Sequence, residues 1–119
     1  MSTKDENLVP IPAEWRSQVV RILRSGDKNR IQSTAVSVSD WSATFPAAWD
    51  YQRLEALASA LSVDGITGKQ IRDMVPKCDA YEFFFSFDGR KLYGKIGLLP
   101  DGTLIIIFST HMPRKGDKL

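Results

Sequence analysis

Residues 81–111, YEFFFSFDGRKLYGKIGLLPDGTLIIIFSTH, decide how this chain folds. They divide into three strands at two turns of different chemistry. Asp88-Gly89 is the residue pair of a two-residue type I′ hairpin, in which both central residues need positive φ. Leu99-Pro100-Asp101-Gly102-Thr103 suits a three-residue loop, a type I turn begun by Pro and followed by Gly in the left-handed region. The first turn sets Phe87 opposite Arg90 and so pairs Phe85 with Leu92, Phe83 with Gly94 and Tyr81 with Ile96. The second sets Leu99 opposite Thr103 and pairs Leu98 with Leu104, Ile96 with Ile106 and Gly94 with Phe108.

Side chains alternate between the two faces of a strand. One face therefore collects Tyr81, Phe83, Phe85, Phe87, Leu92, Ile96, Leu98, Leu104, Ile106 and Phe108, with Gly94 leaving room for the rings of Phe83 and Phe108. That face is the expected core. The opposite face carries Glu82 against Lys95, a favourable cross-strand pair, together with Phe84 against Tyr93 and Ser86 against Lys91. Across the second turn it sets Lys95 against Ile107, Tyr93 against Ser109 and Lys91 against His111. The one histidine of the chain thus converges with lysines, a tyrosine and serines on a single sheet face.

The chain has 119 residues, which is the size of one domain. Its single cysteine, Cys78, excludes an internal disulfide and a cysteine metal cage within one chain. Cys78 beside Lys77 reads either as an incidental small side chain or as a reactive thiol. No apolar run approaches the ~20 residues that span a bilayer. The first residues, MSTKDENLVPIP, lack the apolar stretch of a signal peptide, so the expected location is cytoplasmic. The formal net charge is +2, unevenly placed. Residues 1–68 hold 7 Lys/Arg against 8 Asp/Glu, and residues 69–119 hold 9 against 6. The basic excess lies on the half that carries the sheet, which leans toward an anionic partner, although plain solubility gives the same sign.

Taken in order, residues 1–11 read as a disordered segment, residues 12–111 as a single domain and residues 112–119 as a basic flexible tail. A helix is expected from Pro12 to Arg24, stopped at Ser25-Gly26, with Trp15, Val19, Ile22 and Leu23 as its buried stripe. Residues 31–38 suit a short edge strand or an extended loop, and Ser39 or Asp40 a cap for a brief turn at 41–43. A second helix is expected from Pro46 to Leu61, burying Trp49, Leu54, Leu57, Ala58 and Leu61, with Trp41 and Trp49 as core anchors. Thr67 would cap a third, short helix from Gly68 to Val75. The fold class is therefore α+β: two to three N-terminal helices packed on one face of a C-terminal three- or four-stranded antiparallel sheet, the other face open.

The open face suggests chemistry on RNA. Cleavage without a metal needs a base for the 2′-hydroxyl, an acid for the leaving 5′-oxygen and cations for the phosphate. His111 suits the acid or base, Lys91 and Lys95 the phosphate, and Tyr93 a hydrogen bond or a stacked base. Arg90 stands in the hairpin shoulder and Ser109 on the same face. The same residues also suit an exposed histidine and a solvated lysine face. No Gly-rich phosphate loop, metal-ligand cluster or Ser-His-Asp arrangement stands at workable spacing, so no cofactor is expected.

The strands RKLYGKIGL and TLIIIFSTH resemble those of the barnase–EndoU–colicin–RelE superfamily of ribonuclease toxins. VVRILRSGD, LYGKIGL and LIIIFS together resemble the layout of the MqsR-type mRNA interferases. The resemblance covers residues 69–111, with support from 15–27. It implies an RNA substrate, a site at Lys91, Tyr93, Lys95 and His111 with Gln70 and Arg72 as outside RNA contacts, and an antitoxin or immunity partner over the basic face. The position of His111 after the last apolar run departs from an ordered-strand site. A binding module using the same face without catalysis is the alternative, as is a regulatory protein that docks a partner there.

Overall fold

Nine elements follow one another along residues 8–113, the residues that this computed structural model describes: β1 (Val9–Pro10), α1 (Ala13–Ser25), β2 (Ile31–Ser33), α2 (Ala35–Thr44), α3 (Asp50–Leu61), β3 (Thr67–Ile71), β4 (Asp79–Phe87), β5 (Arg90–Leu98) and β6 (Ile105–His111). The strands form one sheet in the order β1-β3-β4-β5-β6-β2. All neighbours are antiparallel except β2, which runs parallel to β6. The class is α+β with a mostly antiparallel sheet, as expected, but the sheet has six strands rather than three or four.

The first hairpin pairs residue for residue as its turn requires, from Phe87 opposite Arg90 to Tyr81 opposite Ile96. Asp88 and Gly89 both adopt positive φ, 52° and 72°. Phe83, Phe85, Leu92 and Ile96 then fall on the face that packs against the helices. On α1 the buried residues are Trp15, Val19, Ile22 and Leu23, and Gly26 ends the helix at φ 65°. Trp15 packs edge-on against Tyr81 at 5.0 Å and donates its indole N–H to Asp79 O at 2.9 Å. The α3 stripe of Leu57, Ala58 and Leu61 completes the core. Each buried valine, leucine, isoleucine or phenylalanine among them contributes about 1.5–3 kcal/mol.

Four expectations are corrected. The segment 68–75 is not a helix: residues 67–71 form β3, whose Lys69, Gln70 and Ile71 oppose Glu82, Tyr81 and Ala80. A side chain at Gly68 would run into Glu82 O, so the bare glycine lets the strand approach, and Asp73 at φ 59° is incompatible with helix. Residues 8–11 are not disordered: Val9 and Pro10 pair with Gly68 and Thr67, and Ile11 is buried. Residues 1–7 and 114–119, the rest of the expected disordered segment and most of the expected basic tail, lie outside the described residues.

The third correction concerns residues 34–44. The edge strand is only three residues long, and a helix follows it directly. Thr34 caps that helix by accepting from Ser37 N at 3.1 Å. Ser37 and Trp41, one turn apart, face the core, while Val36 and Val38 are exposed. The β-branched pattern is outweighed by the cap and by burial of that one stripe. Finally, α3 starts at Asp50 rather than Pro46. Trp49 N donates to Gln52 Oε1 at 2.7 Å, and Gln52 N returns a bond to Trp49 O at 3.0 Å. Trp49 is therefore a cap residue, 72% exposed, and of the two expected anchors Trp41 alone is in the core.

The second hairpin differs from its expected register in two compensating ways. Leu99 N bonds Leu104 O at 3.0 Å, so the loop holds one residue more than expected, and Leu98 opposes Ile105. Ile105 and Ile107 consequently enter the core in place of Leu104, Ile106 and Phe108. A bulge at Phe108 then adds a second residue to β6, so that Lys95 opposes Ser109 and Tyr93 opposes His111. Gly94 faces Leu57 and Phe83, not Phe108. Thr110 returns to the helix side, fully buried, and donates from Oγ1 to Ser37 O at 2.9 Å.

Among the described residues, no helix is long and apolar enough to cross a membrane.

The extra loop residue, Thr103, is held by Asp101, whose Oδ1 accepts from Thr103 N at 3.0 Å and from its hydroxyl at 2.8 Å. These bonds hold the Asp101 carboxyl below the usual aspartate range. The fold favours the carboxylate, so its contribution is present above the ordinary pKa and is lost as the pH falls through the depressed one. In an amide titration of the folded protein, the Thr103 resonance should move at a lower pH than an exposed Asp would give, and Asp101→Ala should abolish that step.

Candidate functional site

The face turned away from α1 and α3 is built in rows across the strands. In one row Phe84 opposes Tyr93, and Tyr93 opposes His111. The Phe84 and Tyr93 rings meet edge-on at 6.4 Å, and the Tyr93 and His111 rings stack at 4.9 Å with 22° between their planes. Lys91, one step along β5 and paired with Ser86, places Nζ 4.0 Å over the Phe84 ring. The next row is Lys69, Glu82, Lys95 and Ser109, with one carboxylate between two lysines. The row after that, Ile71, Ala80, Gly97 and Ile106, is apolar.

Five of the eight expected site residues therefore share this face: Lys91, Tyr93, Lys95, Ser109 and His111. Their neighbours differ from the expectation, since His111 stands against Tyr93 rather than Lys91, and Ser109 against Lys95 rather than Tyr93. His111 also lies within β6, not beyond it. The other three are not brought to this face. Gln70 opposes Tyr81 on the helix side and reaches Asp79 Oδ1 at 3.3 Å. Arg72 follows the end of β3, and Arg90 opposes Phe87 on the helix side at the hairpin tip.

Two residues of the face were missed by sequence reasoning as site residues. In sequence Lys69 reads as helical, and only the β3–β4 pairing puts it opposite Glu82. The alternation puts Phe84 on the correct face without marking it as a site residue. The signal for Phe84 was present, because it is the aromatic in the run 83–85 that the alternation turns outward.

Exposure within the constellation is uneven. Lys91 is exposed and Phe84, Glu82, Lys95 and Ser109 are half-buried, whereas Tyr93 and His111 each retain only 7% of their surface. His111 Nδ1 lies 2.7 Å from Met112 O. A carbonyl only accepts, so Nδ1 carries the proton in the neutral ring, and Nε2 is the nitrogen with the lone pair. At the edge of β4 beside Phe84, a cavity of about 560 Å³ opens between Thr67, Ser86, the turn at residues 63–66 and the α3 residues Ala56, Ser59 and Ala60. Among the described residues, no group of three or more His, Cys, Asp or Glu is placed to hold a metal ion. Chemically, the face offers ring surfaces for stacking, ammonium groups for an anion and one imidazole for proton transfer.

Comparison with known proteins gives no match to a family model, a curated protein or a solved structure.

Cys78 belongs to the apolar end of this face, with Sγ directly over Gly97 and the Phe108 ring close by. Burial pushes its thiol up, and the charge of Asp79 adds to the shift. This is the environment of an inert thiol rather than a reactive one. Alkylation by iodoacetamide at neutral pH should run at least about tenfold slower in the folded protein than in urea. A methyl group at Gly97 would collide with the sulfur, so Gly97→Ala should cost about 1–3 kcal/mol in urea unfolding. The cost should shrink when Gly97→Ala is made in a Cys78→Ala background.

Proposed function

We propose that the protein is a metal-independent endoribonuclease of toxin type that binds single-stranded RNA across the face of β4, β5 and β6. The observation that carries this reading is the stacked Tyr93–His111 pair. Its imidazole is oriented by the Met112 carbonyl, and the pair lies in one row with Phe84 and beside the lysines. Unpaired bases stack on exposed ring faces at about 1–3 kcal/mol each, a contact that tolerates any base. Phe84, half-buried, supplies such a ring once the Lys91 ammonium moves from over it to a phosphate, and the cavity at the β4 edge beside it has room for a base. Lys91, Lys95 and Lys69 supply the charge that follows a phosphate backbone.

In the proposed reaction His111 Nε2 takes the proton of a ribose 2′-hydroxyl. The 2′-oxygen attacks the adjacent phosphorus, the bond to the 5′-oxygen breaks, and that oxygen takes up a proton from solvent water. Lys91 and Lys95 stabilise the charge on the phosphoryl oxygens, and Tyr93 holds the imidazole in plane by stacking. A protein that cleaves RNA in its own cell needs a partner that blocks the site, and an acidic antitoxin or immunity protein covering Lys69, Lys91 and Lys95 fits this role.

One observation favours a second reading, RNA binding without cleavage. Tyr93 and His111 are 7% exposed, so a scissile phosphate reaches Nε2 only if the row opens when RNA binds.

The two readings part in one experiment. The purified protein is incubated in EDTA with a labelled mixed-sequence RNA, alongside Lys91→Ala and His111→Ala. Cleavage that falls at least about a hundredfold in His111→Ala, the size of one acid–base contribution, is the expected result. Salt-sensitive binding without cleavage in any variant establishes the binding reading. Cleavage unchanged in both variants overturns the proposed site.

A further inference from the structure

A second site, separate from the RNA face, lies at the β2 edge of the sheet, under α2 and α3. We infer that the cavity between β2, α2 and α3 binds a small organic monoanion, a carboxylate on a short apolar body. The cavity measures about 500 Å³, within the ~300–1,000 Å³ of small-molecule sites. Two residues of its lining each carry a buried hydrogen-bond donor that lacks an acceptor among the described residues. Arg53 is 1% exposed, and two of its three guanidinium nitrogens are engaged: Nε donates to Asp50 Oδ1 at 3.0 Å and Nη2 to Ser33 Oγ at 2.8 Å. Its Nη1 has no partner. Trp41 is 3% exposed, and its indole N–H also has none.

Both nitrogens are shielded from bulk water, so solvent at the surface does not satisfy them. Buried donors are paired in nearly all proteins, and two orphans on residues that wall one cavity point to an acceptor that the cavity admits as these side chains turn toward it. Lys28 and Val38, both exposed, edge the cavity toward solvent, so entry asks only for side-chain movement.

The charge and the walls define the ligand. Arg53 and Lys28 against Asp50 leave one positive charge over, which a monoanion neutralises and a phosphate dianion exceeds. Ile31, Val38, Ala48 and the Trp41 ring are apolar and suit a hydrocarbon body of a few carbons. A carboxylate has two acceptor oxygens and can serve Arg53 Nη1 and the Trp41 N–H together.

The test uses the full chain and benzoate as the probe, at constant ionic strength, read on the three indole N–H resonances. Trp41→Phe assigns the Trp41 signal. The other two serve as internal references, since Trp15 is bonded to Asp79 O and Trp49 is exposed. Benzoate should shift the Trp41 resonance saturably with a Kd of about 1 mM or tighter, while uncharged benzyl alcohol binds at least about tenfold more weakly. Lys28→Ala, at an exposed position that leaves the core intact, should weaken benzoate several-fold. Arg53→Lys, checked for folding by the reference indoles, should abolish the shift. Three results overturn the inference: no saturable shift to about 50 mM, well above the expected Kd; inorganic phosphate competing as well as benzoate; or a Trp41 indole that exchanges with an internal water and responds to neither probe.

Discussion

Nine consecutive residue pairs join β4 to β5, from Asp79 opposite Leu98 to Phe87 opposite Arg90, and the positions of the other elements follow from them. The pairing sets Phe83, Phe85, Leu92 and Ile96 on one face, where α1 and α3 close over them. By the same alternation it sets Glu82, Phe84, Lys91, Tyr93 and Lys95 on the other. The Asp88-Gly89 turn admits only one register, and a slip by one residue would exchange the two faces completely. Core and site are thus two consequences of a single constraint.

At β6 the constraint is met differently. The four-residue turn shifts the strand by one place, which exchanges its faces and drives Ile105 and Ile107 into the core. The Phe108 bulge shifts it by one place more, which exchanges them back for Ser109, Thr110 and His111. Two exchanges leave the expected face of His111 unchanged while moving its partner from Lys91 to Tyr93. The strand reconciles two demands in this way: an apolar segment that fills the core beside Ile96 and Leu98, and a polar end whose Thr110 meets Ser37 inside while His111 stacks outside.

Buried polar groups mark where the chain departs from a plain apolar core. The Thr110 hydroxyl donates to the Ser37 carbonyl and the Ser37 hydroxyl to the Ile107 carbonyl, tying α2 to β6 where β2 ends. Arg53 stands in the buried stripe of α3, where an aliphatic side chain would pack without cost. It bonds Asp50 and Ser33, with one nitrogen left over among the described residues. The pair is buried on the arginine side only, since Asp50 is exposed, and such a pair is a weak source of stability. A ligand role gives a physical reason for an arginine at this position.

The sequence by itself determined the elements whose causes are local. The β4–β5 register follows from Asp88-Gly89, the α1 stripe from Trp15, Val19, Ile22 and Leu23, and the helix stop from Gly26. The outward turn of Lys91, Tyr93 and Lys95 follows from alternation. Tertiary structure decided wherever two local preferences were close in energy. Residues 67–71 had a cap and a polar helical pattern, yet they complete the sheet beside β4, where their backbone groups find partners and Gly68 lets the strands approach. Residues 35–38 had β-branched side chains, yet they coil because Thr34 caps the turn and Trp41 is buried one turn later. The stacking of His111 on Tyr93 depends on a loop one residue longer than its turn signals and on a bulge, and neither leaves a mark in composition or spacing. Arg53 looks in sequence like a surface arginine, because its burial comes from β2 and α2, which reach it only in the folded chain.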